Sequence, residues 1–388
     1  MKFAFISSGK LLVAGGAAAP TEIESKFAQD AAERDEKARR RHGWKGGADQ
    51  GDFLPRNMIW GKQMAANRSG TLQFSAVSAG ALPDQIFYTL SGAEIGGLFE
   101  IDAAGTTERR ILHGADFQVR NIKRHPAKPL IAYSKFFKDG SSNVCLRELD
   151  TGKTKELTEG DSIDDNPSWA GGKDDAVLFH SAGIARGPQN QYLAEGPFCI
   201  ERLDLTSSEI ETVAEDPKFD LLMPRELSDG TLLFIRRPYQ NPRGMNPLRV
   251  LSDIVLFPFR LLRAVFGFLN FFSTIYSGKP LATVGQPDMP GVDMKRLVLL
   301  GRVLNAEEVL KKARNGAVAS IVPASWHLVS RSTQGNDTIL AKSVGSYDLA
   351  SDGQIVYSDG SSAFIRATNG TILKVLDYFP MEQVTALS

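Results

Sequence analysis

The chain has little sulfur chemistry to offer: 388 residues contain two cysteines, Cys145 and Cys199. That count excludes a disulfide-dense scaffold and every four-cysteine zinc motif. Net charge is absent too, since 45 Lys and Arg stand against 45 Asp and Glu. Nothing then draws the whole chain to a phosphate backbone, so no nucleic-acid partner is expected, and any charge-driven binding must come from a local patch. The five histidines (His42, His113, His125, His180 and His327) lie far apart without metal-ligand spacing, and no metal or cofactor is expected. Asp161, Asp164 and Asp165 fall close together but lack the liganding glutamate of a calcium loop. No Gly-x-Ser-x-Gly elbow exists, and Ser8-Gly9-Lys10 lacks the upstream glycine of a phosphate loop. These absences favour a non-enzymatic protein. The alternative is a small-molecule-binding or hydrolytic site in an axial channel, assembled from segments too distant to be seen as a motif.

What the chain does have is glycine, 36 of them, often in turns between short apolar runs, which points to β structure. It also has repeats. One unit reads Ile131-Ala-Tyr-Ser134, a turn at Lys138-Asp139-Gly140, Asn143 to Asp150, a turn at Thr151-Gly152-Lys153, then Thr154 to Thr158. The unit before it has Ile86-Phe-Tyr-Thr89, Gly97 to Asp102 and Arg109-Arg-Ile-Leu112, and the unit after it has Val177-Leu-Phe-His180, Cys199 to Asp204 and Glu211-Thr-Val213. Tyr88 and Tyr133 are 45 residues apart, Tyr133 and Phe179 46. That period is the length of a four-stranded propeller blade, about 40–45 residues.

Pro167-Ser168-Trp169 ahead of Val177, His125-Pro126 ahead of Ile131, and Ser228-Asp229-Gly230 and Ser351-Asp352-Gly353 ahead of further apolar strands carry a resemblance. The chain resembles the TolB-like, WD40-like β-propeller repeat proteins over most of residues 70–388. The resemblance implies an all-β fold of four-stranded antiparallel blades. It implies no function, because such repeats serve in periplasmic TolB, in prolyl oligopeptidases and in many uncharacterised proteins. The C-terminal Glu382-Gln-Val-Thr-Ala-Leu387 looks like the first strand of a unit, and Phe3-Ala-Phe-Ile6, Lys10-Leu-Leu-Val13 and Glu22-Ile-Glu24 would continue it. One blade is therefore expected to be shared between the two ends, which removes the open edges of the ring. With units near 71–112, 117–158, 163–214, 219–315, 317–344 and 346–376, the expected count is seven blades, with six as the alternative because the unit around Trp326 is weakly patterned.

Two helical insertions interrupt this plan. The expected divisions are 1–24 for the strands completing the closing blade, 25–70 for a charged helix and Gly-rich linker, 71–236 for blades, 237–290 for a Pro-flanked insertion, and 291–388 for the remaining blades and closing strand. Ser25 is a fair N-cap for the first helix, with acids early and Arg39-Arg40-Arg41 late. Within the larger insertion, Ile254 to Tyr276 is long enough to cross a bilayer, but Arg260 and Arg263 would each cost about 2.5–3.5 kcal/mol at its centre. Read instead as an amphipathic helix within 248–276, it presents Phe257, Phe259, Phe266, Phe268, Phe271 and Phe272 beside Arg260 and Arg263. These eight residues are the expected contact with an anionic membrane surface or a protein partner; a helix buried against the chain's own body is the alternative. The N-terminal apolar stretch is broken by Gly9-Lys10 and reads as a hairpin of a cytoplasmic, possibly membrane-associated protein, the alternative being a signal peptide over residues 1–19 and a periplasmic location.

Overall fold

The computed structural model describes residues 1–16, 19–42, 72–92, 95–115, 117, 119–171, 175–240, 296–300, 302–305 and 320–387. Met1–Tyr239 and Leu297–Ser388 form one compact unit, and the fold below is that unit. The second unit, Gln240–Arg296, falls outside the described residues apart from its two end residues.

The strands are β1 (Lys2–Ser7), β2 (Lys10–Gly15) and β3 (Thr21–Ile23), followed by helix α1 (Lys26–His42). Next come β4 (Gln73–Ala79), β5 (Gln85–Ser91), β6 (Ile95–Asp102) and β7 (Arg109–Ala115), then β8 (Val119–Arg124), β9 (Leu130–Phe136), β10 (Ser142–Glu148) and β11 (Thr154–Glu156). The chain continues with β12 (Ser162–Trp169), β13 (Ala176–Arg186), β14 (Tyr192–Glu195), β15 (Cys199–Asp204) and β16 (Ile210–Ala214). After these lie β17 (Phe219–Glu226), β18 (Leu232–Pro238), the hairpin β19 (Arg296–Leu299) and β20 (Arg302–Asn305), β21 (His327–Arg331) and β22 (Asp337–Lys342). The last are β23 (Ser346–Leu349), β24 (Ile355–Ser358), β25 (Ser362–Arg366), β26 (Ile372–Asp377) and β27 (Gln383–Leu387). They pair as successive antiparallel meanders, with β14 an extension on β13 and a single parallel bridge, Ser142 to Ile163, joining two of the meanders.

The strands are apolar on both faces because each blade is packed on both sides. In β5, Ile86, Tyr88 and Leu90 meet Ile6, Leu11 and Val13 of the preceding blade, while Phe87 between them meets Val119, Ile131 and Tyr133 of the following one. The same alternation recurs from blade to blade, and the last interface returns to the first strands: Val356 and Ala363 pack with Phe3, Phe5 and Leu12. A period-two strand between two apolar neighbours therefore has no polar face. The terminal strands pair antiparallel as expected from the two ends, with Phe3 opposite Ala386 and Phe5 opposite Val384, giving the sheet order β27-β1-β2-β3.

Among the described residues the meanders number six, not seven. The sequence divided 219–315 from 317–344, but β21 pairs with β18 from Leu232 opposite Arg331 to Arg236 opposite His327, so β17, β18, β21 and β22 are one sheet. The larger insertion and the β19–β20 hairpin enter between the second and third strands of that blade. An insertion at a hairpin leaves both halves of the blade with strand patterns of their own, and sequence proximity then splits what the sheet joins.

Helix α1 begins where Ser25 accepts from the Ala28 N–H at 3.2 Å, as an N-cap should. The expected early acid is missing: the first turn carries none. Glu108, just before β7, supplies it, accepting from Ser25 Oγ at 2.5 Å, from the Phe27 N–H at 3.0 Å and from the Tyr88 hydroxyl. Glu108→Ala should therefore loosen the helix start by about 1–2 kcal/mol. The check is hydrogen exchange at Phe27 to Ala31, which should quicken while exchange in β24, remote from Glu108, does not change.

Candidate functional site

The eight residues expected to make contact (Phe257, Phe259, Arg260, Arg263, Phe266, Phe268, Phe271 and Phe272) all lie outside the described residues. Among the described residues no helix is long and apolar enough to cross a membrane. What the described residues bring together is a different place: a cavity of about 370 Å³ where the first residues of the six innermost strands converge.

Those strands share a local device. β8, β12 and β17 each carry a bulge, and Asn121, Asn166 and Met223 sit in it with φ of 50°, 53° and 55°. A bulge breaks the two-residue alternation and re-aims side chains, which is how positions that would otherwise face neighbouring blades come to line the axis. Asparagine tolerates the left-handed region; methionine does not, at a cost of about 1–2 kcal/mol. Met223 is held there because its N–H donates to His180 Nδ1 at 3.2 Å and its carbonyl accepts from the Tyr347 hydroxyl at 2.7 Å.

His180 is 4% exposed, and burial pulls its pKa down to about 4. With Nδ1 accepting, the neutral ring keeps its proton on Nε2, and Nε2 has no partner among the described residues. Asn166, also buried, makes no side-chain hydrogen bond among them. Asp165 accepts from Asn121 Nδ2 at 2.8 Å and from the Asn166 N–H at 2.6 Å. At the rim Arg120 lies over the Phe136 ring at 4.8 Å. On another wall Asp220 accepts from two guanidinium groups, Arg237 at 2.8 Å and Arg302 at 3.0 Å, and Arg237 also donates to the Leu300 carbonyl, tying the β19–β20 hairpin to the cavity.

The cavity does not run through the ring. Further along the axis only about 10 Å³ remains, between Lys123, Arg225, Asp348 and Thr385. Asp348 accepts from Lys123 at 2.7 Å and from the Thr385 hydroxyl at 2.6 Å, with Arg225 at 3.5 Å. One carboxylate thus joins β8, β17, β23 and β27.

The imidazole offers a donor, because its lone pair is engaged by Met223. Burial raises the Cys145 thiol to about 12 and the Cys199 thiol to about 11, so neither is a thiolate at neutral pH. The three aspartates near 161 are separated by strand geometry: Asp161 pairs with Arg186, Asp164 accepts from Ser181 at 2.7 Å on one face, and Asp165 lines the cavity. Among the described residues no group of three potential metal ligands forms. Sequence reasoning missed the cavity because its lining is assembled from all the blades; the one available signal was that Asn166 follows Asn121 at the 45-residue period of the repeats.

No protein-family model and no curated protein matches the sequence. Solved structures do match in fold. TolB from Acinetobacter baumannii superposes with a TM-score of 0.50 at 10% identity, over 99% of this chain and 65% of the TolB chain. A chain of the nidogen/laminin complex gives 0.48 at 7% identity over 99% and 98%, and the acylaminoacyl peptidase of Pyrococcus horikoshii 0.40 at 11% over 80% and 40%. The chain thus spans slightly under two thirds of that TolB. The fold is a TolB-like β-propeller.

Proposed function

We propose that this propeller is a recognition protein that holds a protein partner at the mouth of its axial cavity and does not turn over a substrate. The observation that supports this reading most is that His180 and Asn166, two largely buried residues with hydrogen-bonding capacity open at Nε2 and at the side-chain amide, both line one axial cavity. Buried polar groups are nearly always satisfied, so groups left open on a cavity are where a ligand completes the bonding. Photo-crosslinking tests it. Tyr192 at the rim and Ile372 on the outermost strand of the last full blade are 41% and 42% exposed, so a photoreactive residue at either samples solvent equally. Crosslinks to a partner are expected at Tyr192 in excess of those at Ile372; equal yields, or an excess at Ile372, would place recognition elsewhere.

The insertion supports a second contact of this kind. Between Arg243 and Lys279 the sequence carries five basic residues against Asp253 alone, with the Phe-rich stretch in the middle. Peripheral attachment to an anionic membrane, from the cytoplasmic side, follows from that composition. Flotation with anionic liposomes should carry the intact chain upward and leave a chain lacking residues 248–276 behind. Co-sedimentation of both with the soluble fraction defeats this part.

A further inference from the structure

We infer that this protein pairs with a second copy of itself along β26, the outermost strand of the last full blade, whatever the axial mouth receives. Each blade ends in a strand bonded on one side only, and such an edge invites pairing unless short length or charge blunts it. The other outermost strands are blunted. β3 and β11 are three residues long, β7 opens with Arg109-Arg110, β16 carries Glu211, and β22 carries Asp337 and Lys342. β26 runs Ile372-Leu-Lys-Val-Leu-Asp377, six residues of which four are large and apolar. Ile372, Leu373 and Val375 are exposed, Leu373 by 61%, and so is Phe379 just beyond the strand. Among the described residues no other outermost blade strand shows more than one large apolar side chain so exposed. The bulge in the pairing of β26 with β25 recurs in β7, β16 and β22 and does not set this edge apart.

The strand's own sequence names the occupant. Two identical strands paired antiparallel about a two-fold axis set residue i of one opposite residue j of the other, and j opposite i. With the axis between Val375 and Leu376, Lys374 faces Asp377 of the second copy and Val375 faces its Leu376, and both pairs recur on the other side of the axis. Charge meets opposite charge and apolar side chain meets apolar, the pairs that stabilise a sheet. An axis through Lys374 would oppose two lysines, so charge selects the register. Lys374 and Asp377 pair with each other within one chain and both remain exposed, which leaves them within reach of a second copy. Beyond the strand's end the same register brings Ile372 toward the exposed Phe379 of the second copy. The contact is isologous and consumes both edges, so it closes at two copies and does not grow into a fibre.

The test is sedimentation velocity of the full-length protein over about a hundredfold range of concentration, which should show a shift from one chain to two. Val375→Lys sets two lysines beside the axis and should raise the dissociation constant by more than about tenfold, the scale of like charges brought together in a contact. Because Val375 is exposed, the melting temperature taken at the lowest concentration, where both proteins are single chains, should not change. Lys374→Asp opposes like charges in the proposed register and should weaken pairing in the same way, and adding Asp377→Lys to it should bring the pair back. A single chain at every concentration, a pair indifferent to Val375→Lys, or a double exchange that fails to restore association overturns the inference. A photoreactive residue at Ile372 would join two copies of this chain, a product that mass separates from a crosslink to a different protein at Tyr192. Either reading can therefore fail while the other stands.

Discussion

Removing residues 381–388 is expected to leave no stable native propeller. The lost segment buries Met381 and Val384 against the last blade and the first strands and Leu387 in the cluster on the other side with Ile6 and Val77, at 0%, 2% and 5% exposure. Those three side chains alone account for roughly 5–9 kcal/mol of transfer free energy at the usual values for full burial, comparable to the whole net stability of a domain, about 5–15 kcal/mol. The truncation also takes Gln383, whose side-chain amide accepts from the Val77 N–H at 3.2 Å and donates to its carbonyl at 3.3 Å, sewing the closing blade to its neighbour. It frees the full edge of β1 for pairing with another chain. Aggregation, or a melting transition too low to resolve, is the expected outcome in calorimetry and light scattering. A truncated protein that melts like the intact one would mean that the terminal strand contributes nothing to closure.

Asp348→Ala should be the most damaging single substitution. The carboxylate is buried between Lys123, Arg225 and Thr385, and its loss leaves two cations facing each other without a counter-charge. Breaking a buried pair in this way costs about 3–5 kcal/mol, a fall in Tm on the order of 10 °C for a domain of this size. The pH dependence identifies the cause. Burial by itself would raise the pKa of Asp348, but Lys123 and Arg225 outweigh it and hold the group at about 2, below its ordinary 3.8. A depressed carboxylate stabilises the fold above its unfolded pKa, and that contribution, about 2 kcal/mol at about 1.4 kcal/mol per pH unit, disappears as pH falls from near 4 through 2. His180 acts in a different window: buried neutral with a pKa of about 4, it withdraws stability as pH falls from 6.5 toward 4. Melting curves of the wild type should therefore lose stability in both windows, and those of Asp348→Ala less steeply in the lower one, where Asp102 and other depressed carboxylates still titrate. A variant whose lower-window slope matches the wild type would separate Asp348 from the acid sensitivity.

The sequence disclosed the blades because a strand packed on both faces writes an uninterrupted apolar run, as in Ile86 to Tyr88, and a ring of such strands repeats it at near-constant spacing. Closure was legible for the same reason: the last strand has the pattern of an innermost strand, and the first three lack one. The blade count was not, since β21 and β22 are separated from β17 and β18 by more than a repeat length of inserted chain, and sheet order is not a local property. The cavity was hidden more deeply. Ser75, Arg120, Asp165, His180, Met223 and Gln383 share no motif, and what places them together is the ring arrangement of the inner strands, the β12–β13 pairing that sets His180 opposite Asp165, and the bulges in β8, β12 and β17. Glu108 shows the same limit on a smaller scale, for the acid that caps α1 comes from the loop before β7, far along the chain, and not from the helix's own first turn.

The axial mouth is proposed as the place where this protein recognises a partner. The measurement that decides it is the yield of partner crosslinked at Tyr192 in Arg120→Glu, taken in parallel with the melting temperature of the variant. Arg120 lines the cavity, is exposed, and makes no ion pair among the described residues, so the reversed charge is felt at the mouth and hardly in the fold. A melting temperature like the wild type with crosslink yield lowered about tenfold, the scale of one unfavourable charge in a desolvated contact, is the predicted result. Full yield at an unchanged melting temperature would contradict it and move recognition away from the axis.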